Sequence, residues 1–349
     1  MRNKTGGEGM SKHRAALAMV LLTSVAVLAV AGTGLTAAPI DKVTLQLKWV
    51  AQAQFAGYYA AKAKGFYDAA DLDVTIKPGG PDIIPEQVVA GGGAHFGIDW
   101  LPSLLSAREQ GTPLINIAQV FQYSGMREIA FKSSGIKSVS DFHGKKVAVW
   151  FGGNEFELLA TLDKYHLDRD KDLTLVKQPF DMSLLLNHQV SAAAAMTYNE
   201  YHQVLEAGVR PDDLVVIDFN REGTAMLEDG IFTTERWLNN PGNKKVAARM
   251  LHASFQGWIF CRDHPADCVD IVLKQDTTGV MTRQHQTTMM AEINKLIWGP
   301  PAPAHGIGYM VPAAFKRTAE IALRFGVIKK PAGDAAYTHV IWEDAQRLR

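Results

Sequence analysis

The segment from residue 43 to residue 76 constrains the fold most. Val43-Thr44-Leu45-Gln46-Leu47-Lys48-Trp49 reads as a strand, Ala60-Ala61-Lys62-Ala63-Lys64-Gly65-Phe66-Tyr67 continues a helical stretch, and Leu72-Asp73-Val74-Thr75-Ile76 is a second strand. This strand-helix-strand unit carries Trp49, Gln52, Gln54, Phe55 and Tyr58 at or just beyond the tip of its first strand. In open α/β sheets such tips bind ligands, because strand ends and helix N-termini leave backbone groups facing a crevice. A chain built this way is expected to hold a small molecule.

The pattern recurs. After the turn-rich Lys77-Pro78-Gly79-Gly80-Pro81, a helix over Ile83 to Ala90 is stopped by Gly91-Gly92-Gly93. The buried strand Ala94 to Trp100 then ends in Asp99 and Trp100, and Pro102 suits the first turn of the next helix. Strands are expected at Leu114 to Phe121 and Ile129 to Phe131. A second unit follows: strand Lys146 to Trp150, loop Phe151-Gly152-Gly153-Asn154-Glu155, helix Phe156 to His166, strand Leu173 to Val176, short helix Ser183 to Asn187, strand Ala192 to Thr197, then Tyr198-Asn199-Glu200-Tyr201 and strand Leu214 to Ile217. Ile231-Phe232-Thr233 is expected to return as a strand to the earlier sheet, within a mostly helical remainder ending near Phe325. The expected fold is α/β and bilobed: residues 38–126 with 223–349 form one lobe and 127–222 the other. The chain would cross near Gly125 to Arg127 and Asn220 to Gly223, with the ligand in the cleft and a hinge to close it.

At 349 residues the chain exceeds one ordinary core. Lys12-His13-Arg14 followed by the uncharged run Ala15 to Ala31 and a small-residue tract reads as a signal peptide over 1–37, cleaved after Ala37 or Ala38, with an uncleaved membrane anchor as the alternative. Both place the folded part outside the inner membrane, in a periplasmic or extracytoplasmic setting. Arg2, Lys4, Lys12 and Arg14 against Glu8 give the leader +3, so a neutral whole leaves the mature chain near −3. A nucleic-acid partner normally needs a clustered basic face, and none is expected here. The two cysteines, Cys261 and Cys268, would lie about 10 Å apart along one continuous helix, too far to bridge. His264-Pro265 marks a helix break between them, so a disulfide across the turn and a pair of buried free thiols both remain open.

Three segments carry a family resemblance: Leu47 to Tyr67, Ser138 to Val149 and Met196-Thr197-Tyr198-Asn199-Glu200-Tyr201. Together they resemble periplasmic solute-binding proteins of ABC importers, in the branch related to thiamine pyrimidine synthase that includes binding proteins for formylaminopyrimidine and for riboflavin. The likeness runs from about Val43 to Phe325. It implies a type II periplasmic-binding-protein fold, an aromatic heterocycle as ligand, and ABC permease and ATPase subunits as partners, with membrane contact only through the importer or an uncleaved leader. The synthases of this branch carry a pyridoxal-phosphate lysine and a substrate histidine four residues apart. Asp99 and Ser103 stand at those positions here, and neither supplies a Schiff base or imidazole atoms. The synthases' cysteine-rich iron-binding run corresponds to Ala225-Met226-Leu227-Glu228-Asp229-Gly230, which has no cysteine. The chain is therefore expected to bind without catalysis and without a cofactor or metal. The alternatives are a synthase-type enzyme and same-fold binders of riboflavin, nitrate or alkanesulfonate.

Within that frame Glu200 is the first candidate contact, since a carboxyl pairs with a ring nitrogen and the exocyclic amine of a 4-aminopyrimidine at two points. A helix-start carboxyl satisfied by backbone amides is its alternative role. Tyr198 and Asn199 flank it. Trp49, Phe55, Tyr58 and Trp100 offer ring faces or, equally naturally, core packing. Gln52 and Gln54 offer amide hydrogen bonds. Gly152, Gly153 and Asn154 would bring backbone amides close to a ligand or simply make a tight turn. Asp99 and Glu155 would add negative charge to the cleft and disfavour nitrate or sulfonate. No phosphate-binding loop, Gly-x-Ser-x-Gly or His-Glu-x-x-His pattern occurs.

Overall fold

A computed structural model describes residues 40–299 and 303–348. The leader expected at 1–37 lies outside the described residues. No helix among the described residues is long and apolar enough to cross a membrane.

Among the described residues, ten strands are shared between two sheets. In chain order they are β1 (Asp41–Gln46), β2 (Leu72–Lys77), β3 (Phe96–Asp99), β4 (Leu114–Gln119), β5 (Met126–Phe131), β6 (Lys146–Val149), β7 (Thr174–Lys177), β8 (Ala192–Met196), β9 (Leu214–Asp218) and β10 (Gly230–Thr234). The first sheet has the order β2-β1-β3-β10-β4 and the second β7-β6-β8-β5-β9. β1 runs parallel to β2 and β3, and β6 parallel to β7 and β8. Each sheet also receives one antiparallel strand: β10 lies between β3 and β4, and β5 between β8 and β9. We use "lobe" for each sheet with its helices. The sheets are therefore woven together, because β5 follows directly on the first sheet's β4 and β10 follows the second sheet's β9.

The strands are short and apolar where both faces are covered. β8, Ala-Ala-Ala-Ala-Met, is buried along its whole length, as a central strand covered on both faces requires. Several strand ends differ from the sequence expectation by up to three residues: β1 stops at Gln46, so Leu47, Lys48 and Trp49 belong to the loop. That turn reaches toward the second lobe. The helix Val340–Arg347 and the short helix Phe219–Glu222 were not expected; the former packs against the long helix Asn243–Asp263, its Ile341 and Ala345 buried.

Cys261 and Cys268 form a disulfide, with Cα atoms 5.4 Å apart, so the alternative of free thiols is set aside. His264 breaks the helix at φ −131°, and Pro265 opens the helix Pro265–Leu273, which turns the second cysteine back onto the first. Closing so short a loop removes about 2 kcal/mol of unfolded-state entropy. The double variant C261A/C268A is expected to lose stability of that order in a denaturant melt, and wild type in reductant should match it. Unchanged midpoints in both would show the bond to be energetically silent.

Candidate functional site

The ends of β1, β3, β6 and β8 point their loops into the gap between the sheets. Lys48, Trp49, Gln52, Gln54 and Trp100 line one side, and Trp150, Asn154, Met196, Tyr198, Asn199 and Glu200 line the other. The gap encloses about 300 Å³. Trp49 stacks on Phe180 of the second lobe, centroids 5.5 Å apart and planes 10° from parallel, and meets Trp150 edge-on at 5.9 Å. A tryptophan thus follows each of three strand regions, at Trp49, Trp100 and Trp150.

On the first-lobe side, Asp229 organises the wall from behind. Its Oδ2 accepts Gln54 Nε2 at 2.9 Å and its Oδ1 accepts Trp100 Nε1 at 3.1 Å, while Gln52 Nε2 donates to Gln54 Oε1 at 2.8 Å. Burial pushes the Asp229 carboxyl up to about 6, against the Gln54 hydrogen bond and the nearby Lys48 charge, which pull it down. Beside it Lys48 forms a buried ion pair with Asp99 and sits 5.0 Å from the Trp100 ring centroid. Burial opposes the Lys48 ammonium, but Asp99, Glu86 and Asp229 outweigh it and hold the group above its ordinary value. Glu86, buried on the helix Pro85–Ala90, is pushed well up by burial and by the Asp99 charge.

On the second-lobe side, the helix Glu200–Glu206 starts directly behind β8. Glu200 Oε2 accepts Met196 N–H at 3.0 Å and Oε1 accepts Asn199 Nδ2 at 2.6 Å. The local donors expected of a helix-start carboxyl are therefore present, and the side chain lines the gap as well. Burial raises its carboxyl to about 7, partly offset by those donors. Such a group switches between donor and acceptor near neutrality and can match an amidine-like edge in either form.

Of the residues singled out in the sequence, Trp49, Gln52, Gln54, Trp100, Asn154, Tyr198, Asn199 and Glu200 line the gap. Phe55 and Tyr58 do not. They are core residues, 0% and 1% exposed, with Tyr58 edge-on to Trp258 at 5.5 Å. Asp99 lies behind the wall, its charge engaged by Lys48 and by Trp100 N–H at 2.6 Å. Gly152 and Gly153 turn the chain, with φ of +99° and +121°, and do not line the gap. The Gly153 amide donates to Glu155 at 2.8 Å, and a Cβ there would sit 2.1 Å from Ser103 Oγ, so the close approach is between lobes. Glu155 is spent on that turn and adds no carboxylate to the gap. Lys48, Trp150, Met196 and Asp229 were not foreseen. The recurrence of tryptophan after strands was a usable signal for Trp150; Asp229 lies 129 residues from Trp100, and nothing local marks the partnership.

Two lobes of parallel-dominated sheet, exchanging one strand each and facing across an aromatic gap that holds a buried carboxyl, define a bilobed periplasmic-binding-protein fold. The alkanesulfonate-binding protein SsuA from Xanthomonas axonopodis pv. citri, solved with MOPS bound, superposes with a TM-score of 0.62 over 86% of this chain and 99% of its own, at 15% identity. Residues 52–268 match the family described as NMT1/THI5 like, and the chain belongs to that family. Among curated relatives, the riboflavin-binding protein RibY of Chloroflexus aurantiacus is 24% identical over 302 residues, covering 84% of this chain and 83% of RibY. The 4-amino-5-hydroxymethyl-2-methylpyrimidine phosphate synthase of Legionella pneumophila is 32% identical over 125 residues, which is 35% of this chain and 39% of the synthase.

Proposed function

We propose that this chain is the extracytoplasmic capture component of an ABC importer, closing lobes 38–126 with 223–349 and 127–222 on a thiamine-type pyrimidine, formylaminopyrimidine-like, or a similar aromatic heterocycle. It hands its cargo to a permease and ATPase and performs no reaction. The observation that carries this reading is the buried Glu200 carboxyl, set in a gap walled by Trp49, Trp100 and Trp150. Flat rings stack on such walls, and a carboxyl fixes an amine-bearing edge. The likeness to RibY supports heterocycle capture, and the likeness to the Legionella synthase supports a pyrimidine as the cargo. Against the synthase reaction stands Asp99 at the lysine position, paired with Lys48. The Lys48 ammonium at the wall is already paired with Asp99, so nitrate or a sulfonate would meet Glu200 without a free cation to hold it. Riboflavin is the second reading: RibY favours it, and the small gap requires a wider opening for three fused rings.

Thermal shift with formylaminopyrimidine, riboflavin, an alkanesulfonate and nitrate separates these, because a ligand held only by the folded state raises its melting temperature. A shift with the pyrimidine is the expected result; a shift confined to the anions rejects the reading. Glu200→Ala is expected to weaken pyrimidine binding about 100-fold, as loss of a buried two-point contact does, and to lower the unliganded melt as well, because the Met196 amide and Asn199 lose their acceptor. Equal affinity would remove Glu200 from the site.

A further inference from the structure

The first turn of the helix Arg283–Trp298 reaches both walls of the gap at once. Gln286 Oε1 accepts the Ala53 amide at 2.8 Å, between the gap-lining Gln52 and Gln54. One residue earlier, His285 points to the other lobe. Its Nε2 lies 2.8 Å from Asn199 Oδ1, and its Nδ1 lies 3.0 and 3.1 Å from the two carboxylate oxygens of Glu206. Asn199 in turn donates Nδ2 to Glu200 at 2.6 Å. That donation fixes the amide's orientation, so Oδ1 is the atom offered to His285 and Nε2 must carry a hydrogen. Gln203 Nε2 supports the same oxygen at 3.1 Å. Both imidazole nitrogens face oxygen atoms. His285 is 8% exposed, so water competes little for these contacts. Thr282, whose Oγ1 caps the helix by accepting His285 N–H at 3.2 Å, fixes the turn that presents the ring.

We propose that His285 is a positioning residue: reaching from the first lobe, it sets Glu200 for ligand recognition through Asn199, and it does so only when the lobes are closed. The inference rests on the reading of the gap as a heterocycle site and adds the means by which closure and recognition are joined. An open protein leaves Asn199 without its partner from the first lobe, so the full grip on a ligand develops as the lobes meet. Bound ligand and the His285 contact then hold the closed form together, and their loss appears in the off-rate.

Formylaminopyrimidine is the probe, titrated against wild type, His285→Ala, His285→Gln, Glu200→Gln and the double variant His285→Ala/Glu200→Gln, with dissociation followed by tryptophan fluorescence. His285→Ala is expected to weaken binding about 10-fold, through faster release, as loss of a buried polar contact does. His285→Gln, which retains an N–H for Asn199 Oδ1 and gives up Glu206, should recover most of that loss. In the Glu200→Gln background the alanine change should cost less than about 2-fold, because residues acting through one another are not additive. Losses that multiply, or no rescue by glutamine, overturn the positioning role while leaving the heterocycle reading intact. Wild type that fails to bind the probe overturns that reading and the inference with it.

Discussion

Glu157→Gln is expected to leave the fold intact and flatten its dependence on pH, whereas Glu228→Ala should cost about 4 kcal/mol, in the range found when one member of a buried charged network is removed. The two carboxyls meet where the chain passes between lobes. Ser124 Oγ lies 2.9 Å from Glu157 Oε2 and 2.8 Å from Glu228 Oε1. A hydroxyl has one hydrogen to give, so two ionised carboxylates cannot both be satisfied by it. Glu228 Oε1 also accepts the amides of Gly125 at 2.8 Å and Met126 at 3.0 Å, which marks Glu228 as the charged partner. Glu157 then carries a proton on Oε2 and donates it to Ser124, while its Oε1 accepts Met226 N–H at 2.7 Å. Glutamine mimics that form, with an acceptor for Met226 and a donor for Ser124.

The sign follows from linkage. Burial, then the Glu228 charge, raise the Glu157 carboxyl well above its ordinary value, and burial with the Asp229 charge raises Glu228 to about 7 despite its hydrogen bonds. A folded state that holds a proton which the unfolded chain releases is stabilised fully below the unfolded value near 4.5 and loses that stability as pH rises through the folded value. Wild type should weaken from about pH 5 through pH 7 and beyond, by at most about 1.4 kcal/mol per pH unit for each such proton. Glu157→Gln removes one proton from that balance. Denaturant melts at pH 5 and pH 8 read the difference; parallel curves for wild type and variant would refute the shared-proton arrangement.

Gly257→Ala carries the second large effect, and two physical terms give it opposite signs. Alanine is favoured over glycine inside a helix by about 1 kcal/mol, and residue 257 sits well inside the helix Asn243–Asp263. But a Cβ at 257 would lie 2.0 Å from the Gly57 carbonyl oxygen and 2.8 Å from the Ala61 amide nitrogen, both backbone atoms that cannot rotate away. The helix Ala56–Ala63 would have to move off, taking the Gln52 to Gln54 turn with it. Overpacking of this kind costs about 3 kcal/mol or more, so steric contact wins over propensity. A Gly257→Ala protein melting at or above wild type would mean that the helices do not approach as closely as described.

Much of the architecture was legible because it is local. The strands ending at Asp99, Val149 and Met196 are apolar runs bounded by turn residues, and Gly91, Pro102 and Pro265 mark helix boundaries by mechanisms that act within a few residues. Trp49, Trp100 and Glu200 could be placed near the gap from strand ends alone. What escaped depends on the return of distant chain. Asp229 was noticed only for lacking neighbouring cysteines, yet it holds Gln54 and Trp100. Lys48 was counted only as part of a strand that stops two residues before it. Phe55 and Tyr58 follow Gln52 and Gln54 within a few residues, but the helical turn rotates them into the core, a difference that residue type alone does not encode. The charge expected at the gap from Asp99 and Glu155 was assigned from proximity in sequence, whereas one is matched by Lys48 and the other caps its own loop.

The exchange of β5 and β10 between the sheets bears on how the polypeptide matures. Among the described residues β4 pairs along its length with β10, and its isolated bridges run to Gly308 and Tyr337, so residues 114–119 have no strand neighbour in the first sheet until residues 230–234 arrive. During synthesis from the N-terminus, β3 and β4 therefore wait as open edges while the whole intervening lobe is made. Open edges invite mispairing. A secretion route or chaperone that keeps the nascent chain extended past residue 234 suits this topology, and a fragment cut between the sheets lacks the strand that would complete its own half.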